Sequence, residues 1–142
     1  MLQGEYKHTV DSKNRMFVPA KFREELGETF VIAKSASEKC IRMMSCFEWE
    51  KYLAPFQDLH PFEAERWLVK FNKTACQVTP DSQGRIVLTP TLMKYAGITK
   101  SAVVVGGGNF AEIWSEERNA LMNAAEEEDD GEELYQLFSL KR

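Results

Sequence analysis

The sequence predicts an α+β fold, internally duplicated, in which two strand–turn–strand–helix units interleave their hairpins about a pseudo-twofold axis. The expected product is a small swapped-hairpin β-barrel decorated with short helices. Three observations predict it. A nine-residue motif recurs at an offset of 70 residues. The same order of apolar strands and a short helix follows each occurrence. The chain has 142 residues, 44% of them hydrophobic and 28% charged, which suits one globular domain rather than a disordered polymer.

The motif is Asp11-Ser12-Lys13-Asn14-Arg15-Met16-Phe17-Val18-Pro19, and it returns as Asp81-Ser82-Gln83-Gly84-Arg85-Ile86-Val87-Leu88-Thr89. Beyond it, Phe22 matches Leu92, Gly27 matches Gly97, and the run from Ile41 to Ser45 matches Ala111 to Ser115. Two copies at so long a period do not make a solenoid; they make a duplicated half-domain. A single unit leaves strand edges and an apolar face uncovered, and two interleaved units close them.

Taken in order, Tyr6 to Val10 and Ala75 to Thr79 read as strands. The Asp-Ser-x-(Asn/Gly)-Arg segments reverse the chain. Aspartate bonds its own backbone two residues on, and Asn14 or Gly84 accepts a positive φ. Met16 to Val18 and Ile86 to Leu88 are second strands. Pro19 and Pro90 open short helices, the first with Phe22 and Leu26 on one face and Gly27 at its end. Phe30 to Ala33 and Cys40 to Met43, then Ala102 to Val105 and Phe110 to Trp114, are further strand pairs. Helices start near Cys46 and Ser115, and a helix over Phe62 to Phe71 bridges the copies. The expected organisation is repeat one over 1–58, a connecting helix over 59–72, repeat two over 73–125, and an acidic tail over 126–142. In that tail Glu126 to Glu133 is expected to be a solvated linker. Leu134, Leu137 and Phe138, at i, i+3 and i+4, form the apolar stripe of a short helix.

Composition excludes several classes. No apolar run reaches the length of a membrane helix, and the N-terminus lacks the apolar core of a signal peptide, so a cytoplasmic protein is expected. Cys40, Cys46 and Cys76 have no metal-binding spacing and read as core residues; no metal or other cofactor is expected. The formal net charge of −4 hides a segregation. Residues 1–110 carry 15 Lys and Arg against 12 Asp and Glu, a net +3, whereas residues 111–142 carry 3 against 10, a net −7. Both motif regions are locally basic inside an acidic chain.

Basic paired turns suit a duplex. Lysine and arginine release counterions from phosphates, and an arginine on a rigid hairpin can fork onto a guanine edge. The candidate DNA-binding residues are Lys7, His8, Lys13, Asn14, Arg15, Gln83, Gly84 and Arg85, with the two arginines central. Other readings stand beside this one. Arg15 and Arg85 can instead each pair with the aspartate of their own loop. His8, Asp11 and Ser12 superficially resemble a nucleophilic set, but no oxyanion donors accompany them, so no catalytic residue and no small-molecule substrate is expected. Gly106 to Gly108 leads into a strand pattern, which marks a hairpin turn and not a phosphate loop. Trp49, Trp67 and Trp114 read as core or subunit-contact residues.

The pattern Tyr6-x-His8-Thr9-x-Asp11-x-Lys13-x-Arg15-x-x-x-Pro19-Ala20-x-Phe22-Arg23, with Asp81-x-Gln83-Gly84-Arg85, resembles the MraZ family. These are bacterial transcriptional regulators of the division and cell-wall gene cluster. Glu48-Trp49, Tyr95-Ala96-Gly97 and Glu112-Ile113-Trp114-Ser115 extend the resemblance to about Arg118. It implies two AbrB-like halves per chain, a homo-oligomeric ring of many subunits, and binding to short direct repeats in promoter DNA as a repressor on the nucleoid. The family's motif arginines correspond to Arg15 and Arg85, and its basic turn position to Lys13. The chain departs from the family at Asn14, where glycine is usual, and has Asn119 where its own first copy has Trp49. The competing class is an antitoxin-like protein-interaction module of AbrB type, whose acidic tail would bind a toxin; the duplication argues against it.

Overall fold

A computed structural model describes residues 1–140, with residues 128–130 described by their backbone alone. The last two residues of the expected 126–142 tail therefore lie outside the described residues. The chain runs β1 (Glu5–Thr9), β2 (Arg15–Phe17), α1 (Ala20–Leu26), β3 (Phe30–Lys34), β4 (Ile41–Ser45) and α2 (Cys46–Leu53). A 3-10 helix at Ala54–Asp58 leads into α3 (Pro61–Asn72). The second half follows with β5 (Cys76–Val78), β6 (Arg85–Val87), α4 (Pro90–Ala96), β7 (Ser101–Gly106), β8 (Ala111–Ser115) and α5 (Glu116–Leu140).

The strands pair across the two halves. All pairings are antiparallel, in a six-stranded sheet of order β1-β7-β8-β4-β3-β5 and a separate two-stranded ribbon β2-β6. The first strand of copy one thus lies on copy two, with Tyr6 opposite Val104, and the first strand of copy two lies on copy one, with Cys76 opposite Ile32. Two registers locate the symmetry axis. In the ribbon Met16 faces Ile86, and at the sheet centre Arg42 faces Glu112. Each pair is a residue facing its own counterpart 70 positions on, so the axis passes between both pairs.

The main core lies between ribbon and sheet. Met16, Val18, Ile86 and Leu88 from the ribbon strands and their ends pack with Phe22, Leu92, Phe30, Ile32, Met43, Val104 and Ile113, all essentially excluded from water. Burying large aliphatic and aromatic side chains contributes roughly 1.5–3 kcal/mol each. A smaller cluster on the other side of the sheet joins Val31, Ala33, Met44 and Trp49, with Tyr52, Leu53 and Phe71 packed against it.

Two features differ from sequence expectation. Helix α5 is continuous through Glu126 to Glu133, where a solvated linker is expected. Alanine, glutamate and leucine dominate Glu116 to Glu127, and their strong helix propensity carries the helix into the acidic run and past the single Gly131. The bridging helix α3 has no fully buried residue. Its Trp67 stacks on Phe56 and contacts Phe71 rather than entering the main core. Trp49 and Trp114 are buried, as is Cys40, whose thiol burial pushes up to about 12. Among the described residues, no helix is long and apolar enough to cross a membrane.

Candidate nucleic-acid interface

The two motif turns fold by local bonds that are nearly identical. Asp11 Oδ1 accepts from the backbone N–H of Lys13 at 2.9 Å and of Arg15 at 2.8 Å, while Oδ2 accepts from Arg15 Nε at 2.8 Å. Asp81 does the same for Gln83, Arg85 and Arg85 Nε, each at 2.9 Å. The Asn14 N–H donates to the Asp11 carbonyl at 3.0 Å and the Gly84 N–H to the Asp81 carbonyl at 2.9 Å. These turns place Asn14 at φ 60° and Gly84 at φ 82°, the left-handed region their residue types tolerate. Both carboxyls are held below the usual aspartate range, first by the backbone N–H of the motif arginine and then by the other turn donors and the guanidinium.

Two further bonds lock the elbows to each other. The Val18 N–H donates to the Gly84 carbonyl at 3.0 Å, and the Leu88 N–H donates to the Asn14 carbonyl at 2.8 Å. Each turn is therefore fastened to the strand end of the opposite copy. Strand alternation then sorts the ribbon. Met16 and Ile86 point into the core, while Arg15, Phe17, Arg85 and Val87 share the outward face. Across that face Arg15 is opposite Val87 and Arg85 is opposite Phe17, with the Arg85 guanidinium 5.9 Å from the Phe17 ring centre.

The arginine side chains are part-exposed, 30% for Arg15 and 21% for Arg85. Each guanidinium is anchored through Nε, and no Nη bond of either is found among the described residues. The self-pairing expected as an alternative is thus present in both elbows. It orients the fork and leaves the Nη edge available. Lys13 and Gln83 stand exposed in the turns beside them.

Lys7 and His8 are not brought to this face. The pleat of β1 turns Tyr6 toward the main core, where it meets Phe22 edge-on, and His8 lies on the same side of the strand. His8 Nε2 is buried without a hydrogen-bond partner among the described residues, and burial lowers its pKa. Lys7 points the other way and pairs with Glu116 of α5 at 2.7 Å. The glycine turn at 106–108 is occupied by backbone: the Gly106 N–H donates to the Gly4 carbonyl, Gly107 to Phe110, and Gly108 to Leu2. A side chain at Gly106 would strike the Leu2 backbone, so glycine there serves close strand approach.

Phe17 and Val87 also stand on this face, which their apolar character alone does not predict. They are 45% and 53% exposed, large for apolar side chains in a short ribbon. The signal was available: each stands two positions after a motif arginine, and period-two alternation puts it on the same face.

The family model for MraZ protein, described as antitoxin-like, matches this chain twice, over residues 1–72 and 71–131. The chain is 44% identical over 119 residues to a protein named Transcriptional regulator MraZ from Caldicellulosiruptor bescii, covering 82% of each. It is 40% identical to one of the same name from Carboxydothermus hydrogenoformans, again over 82% of each, and 40% identical to one from Ligilactobacillus salivarius over 89% of this chain and 90% of the relative. A family match on each half, each beginning ten residues before its elbow motif, together with these relatives along most of the length, establishes that the chain belongs to the MraZ family.

Proposed function

We propose that this protein is a sequence-specific duplex-DNA-binding transcriptional regulator whose contact surface is the arginine ribbon. The observation that supports it is the outward face of β2-β6, where two arginines related by the pseudo-twofold axis are pre-oriented by their own aspartates. A two-stranded ribbon fits the major groove, and an arginine fork matches the O6 and N7 acceptors of guanine. Fixing each guanidinium beforehand reduces the ordering cost at the moment of binding. Phe17 and Val87 supply apolar surface of the kind that meets thymine methyl groups. Lys13 and Gln83, with Asn14 and Gly84 shaping the turns, flank the arginines; Lys7 and His8, on β1, stand outside this face. The crossed strand pairing supports reading the scaffold as an AbrB-like swapped-hairpin barrel.

One ribbon makes few phosphate contacts. A homo-oligomeric ring engaging short direct repeats would multiply them, each further contact being intramolecular. In this reading the ring represses by occluding the promoter of the division and cell-wall gene cluster, on the nucleoid and in the cytoplasm, without covalent chemistry. The test is a titration of the full chain against the DNA upstream of its own gene at several salt concentrations. Arg15→Ala and Arg85→Ala are expected to weaken binding more than about tenfold with an unchanged circular dichroism spectrum, and wild-type affinity to fall steeply with salt. Binding that is indifferent to both arginines, or to salt, overturns the proposal.

A further inference from the structure

The outer part of α5 carries a surface complementary to the ribbon. From Glu116 to Leu140 the helix has one basic residue, Arg118, and exposed Glu126, Glu127, Glu132 and Glu133. Leu134, Leu137 and Phe138 follow on one stripe, and all three are exposed. The ribbon presents the converse mixture: Lys13, Arg15 and Arg85 with exposed Phe17 and Val87.

The same chain cannot bring the two together. Helix α5 starts against β1 on the Lys7 side of the sheet, whereas the ribbon packs on the opposite side. A continuous helix of 25 residues is about 37 Å long, so its last turns stand away from the body. Covering the ribbon with this segment therefore takes a second copy.

We propose that the outer part of α5 from one copy docks on the arginine ribbon of another when DNA is absent, and competes with duplex for that face. The proposal rests on the ribbon being the DNA surface. Acidic side chains take the place of phosphates at Arg15, Arg85 and Lys13, and the Leu134–Phe138 stripe covers Phe17 and Val87. Duplex displaces the helix, so each DNA-bound copy releases an arm.

The test uses the full chain in a mixture of normal and 15N-labelled protein, treated with a carbodiimide that joins lysine amines to carboxylates at contact distance. Mass spectrometry is expected to find Lys13 joined to Glu127 or Glu133, the glutamates on or beside the apolar stripe, across differently labelled chains, and added duplex to abolish the product. The double variant Leu134→Ser/Phe138→Ser, altered only at exposed positions, should lose the cross-link and bind duplex about threefold more tightly, the factor for a ribbon two-thirds occupied by its competitor. Glu127→Gln/Glu133→Gln should tighten duplex binding in the same direction. Cross-links that leave Lys13 out, or variants with wild-type duplex affinity, overturn the proposal. Should the wild-type chain bind no duplex while the Lys13 product forms, the DNA reading fails and the docking between copies stands.

Discussion

Helices α2 and α5 leave the sheet at residues 70 positions apart and begin alike. Ser45 Oγ accepts from the Glu48 N–H at 3.2 Å, and Ser115 Oγ accepts from the Arg118 N–H at 3.1 Å. One turn later they part. Trp49 of α2 sinks into an apolar cluster with Val31, Ala33 and Met44. Its counterpart Asn119 of α5 is equally buried but donates to Glu5, which also accepts from Asn123 at 3.2 Å. Glu116 adds Lys7 and Ser101, and Arg118 donates to the carbonyls of Lys39 and Tyr95. One half holds its helix by area removed from water, the other by polar contacts that exchange with solvent at little net gain. The elbows, by contrast, keep the same bonds in both halves. Duplication has left the ribbon symmetric and let its surroundings diverge.

The largest effect that can break this comparison is at Trp49. Trp49→Ala is expected to cost about 3–5 kcal/mol in denaturant unfolding, whereas Asn119→Ala costs about 1 kcal/mol. Equal losses would mean that α5 also rests on an apolar seat. The second test concerns the elbows. A Cβ at Gly84 would lie 2.7 Å from Arg23 Cζ, and the residue 70 positions after Arg23 is Met93, which has no guanidinium. Gly84→Asn, making elbow two like elbow one, should destabilise by about 1–2 kcal/mol, while Asn14→Gly stays within about 0.5 kcal/mol. Thermal melts of the pair decide it.

Asp11→Asn and Asp81→Asn should lower the melting temperature by matching amounts. Because both carboxyls titrate below their ordinary value of 3.8, their stabilisation is complete above that value and is lost as pH falls through the depressed one. The asparagine variants should lose that part of the acid-side slope. The smallest effect is at His8, whose counterpart is Val78. A histidine held neutral by burial stabilises fully above its ordinary 6.5, and the contribution is lost as pH falls toward its lowered folded value. His8→Val should remove the fall in stability that begins just below pH 6.5, read relative to each protein's own stability at pH 8; an unchanged slope there would place the titration elsewhere.

The elbows were legible in the sequence because their bonds span at most four residues: an aspartate, a residue that accepts positive φ, and an arginine suffice. The order of strands and helices was legible for the same reason, through apolar periodicity and the Pro and Gly that start and stop each short helix. The acidic run misled, since Glu126 to Glu133 reads as solvated in either state. What the run does depends on the helix already propagating from Ser115, and charge pattern does not report that. The 3-10 turn at Ala54–Asp58 carried no pattern distinct from the end of a helix.

That the molecule is built twice, and that each copy carries an arginine in a tight Asp-Ser-x-x-Arg turn, is written in residues close together along the chain; that the aspartate braces the arginine through Nε is seen only in the folded turn. The assembled fold sets the rest: β1 and β5 pair with the opposite halves, Met16 meets Ile86 on the axis, Lys7 faces α5 and not the ribbon, and Phe17 and Val87 complete the arginine face. Those outcomes depend on contacts tens of residues apart, where burial of the two halves' shared core, and no local preference, selects one pairing from the several that each strand could make.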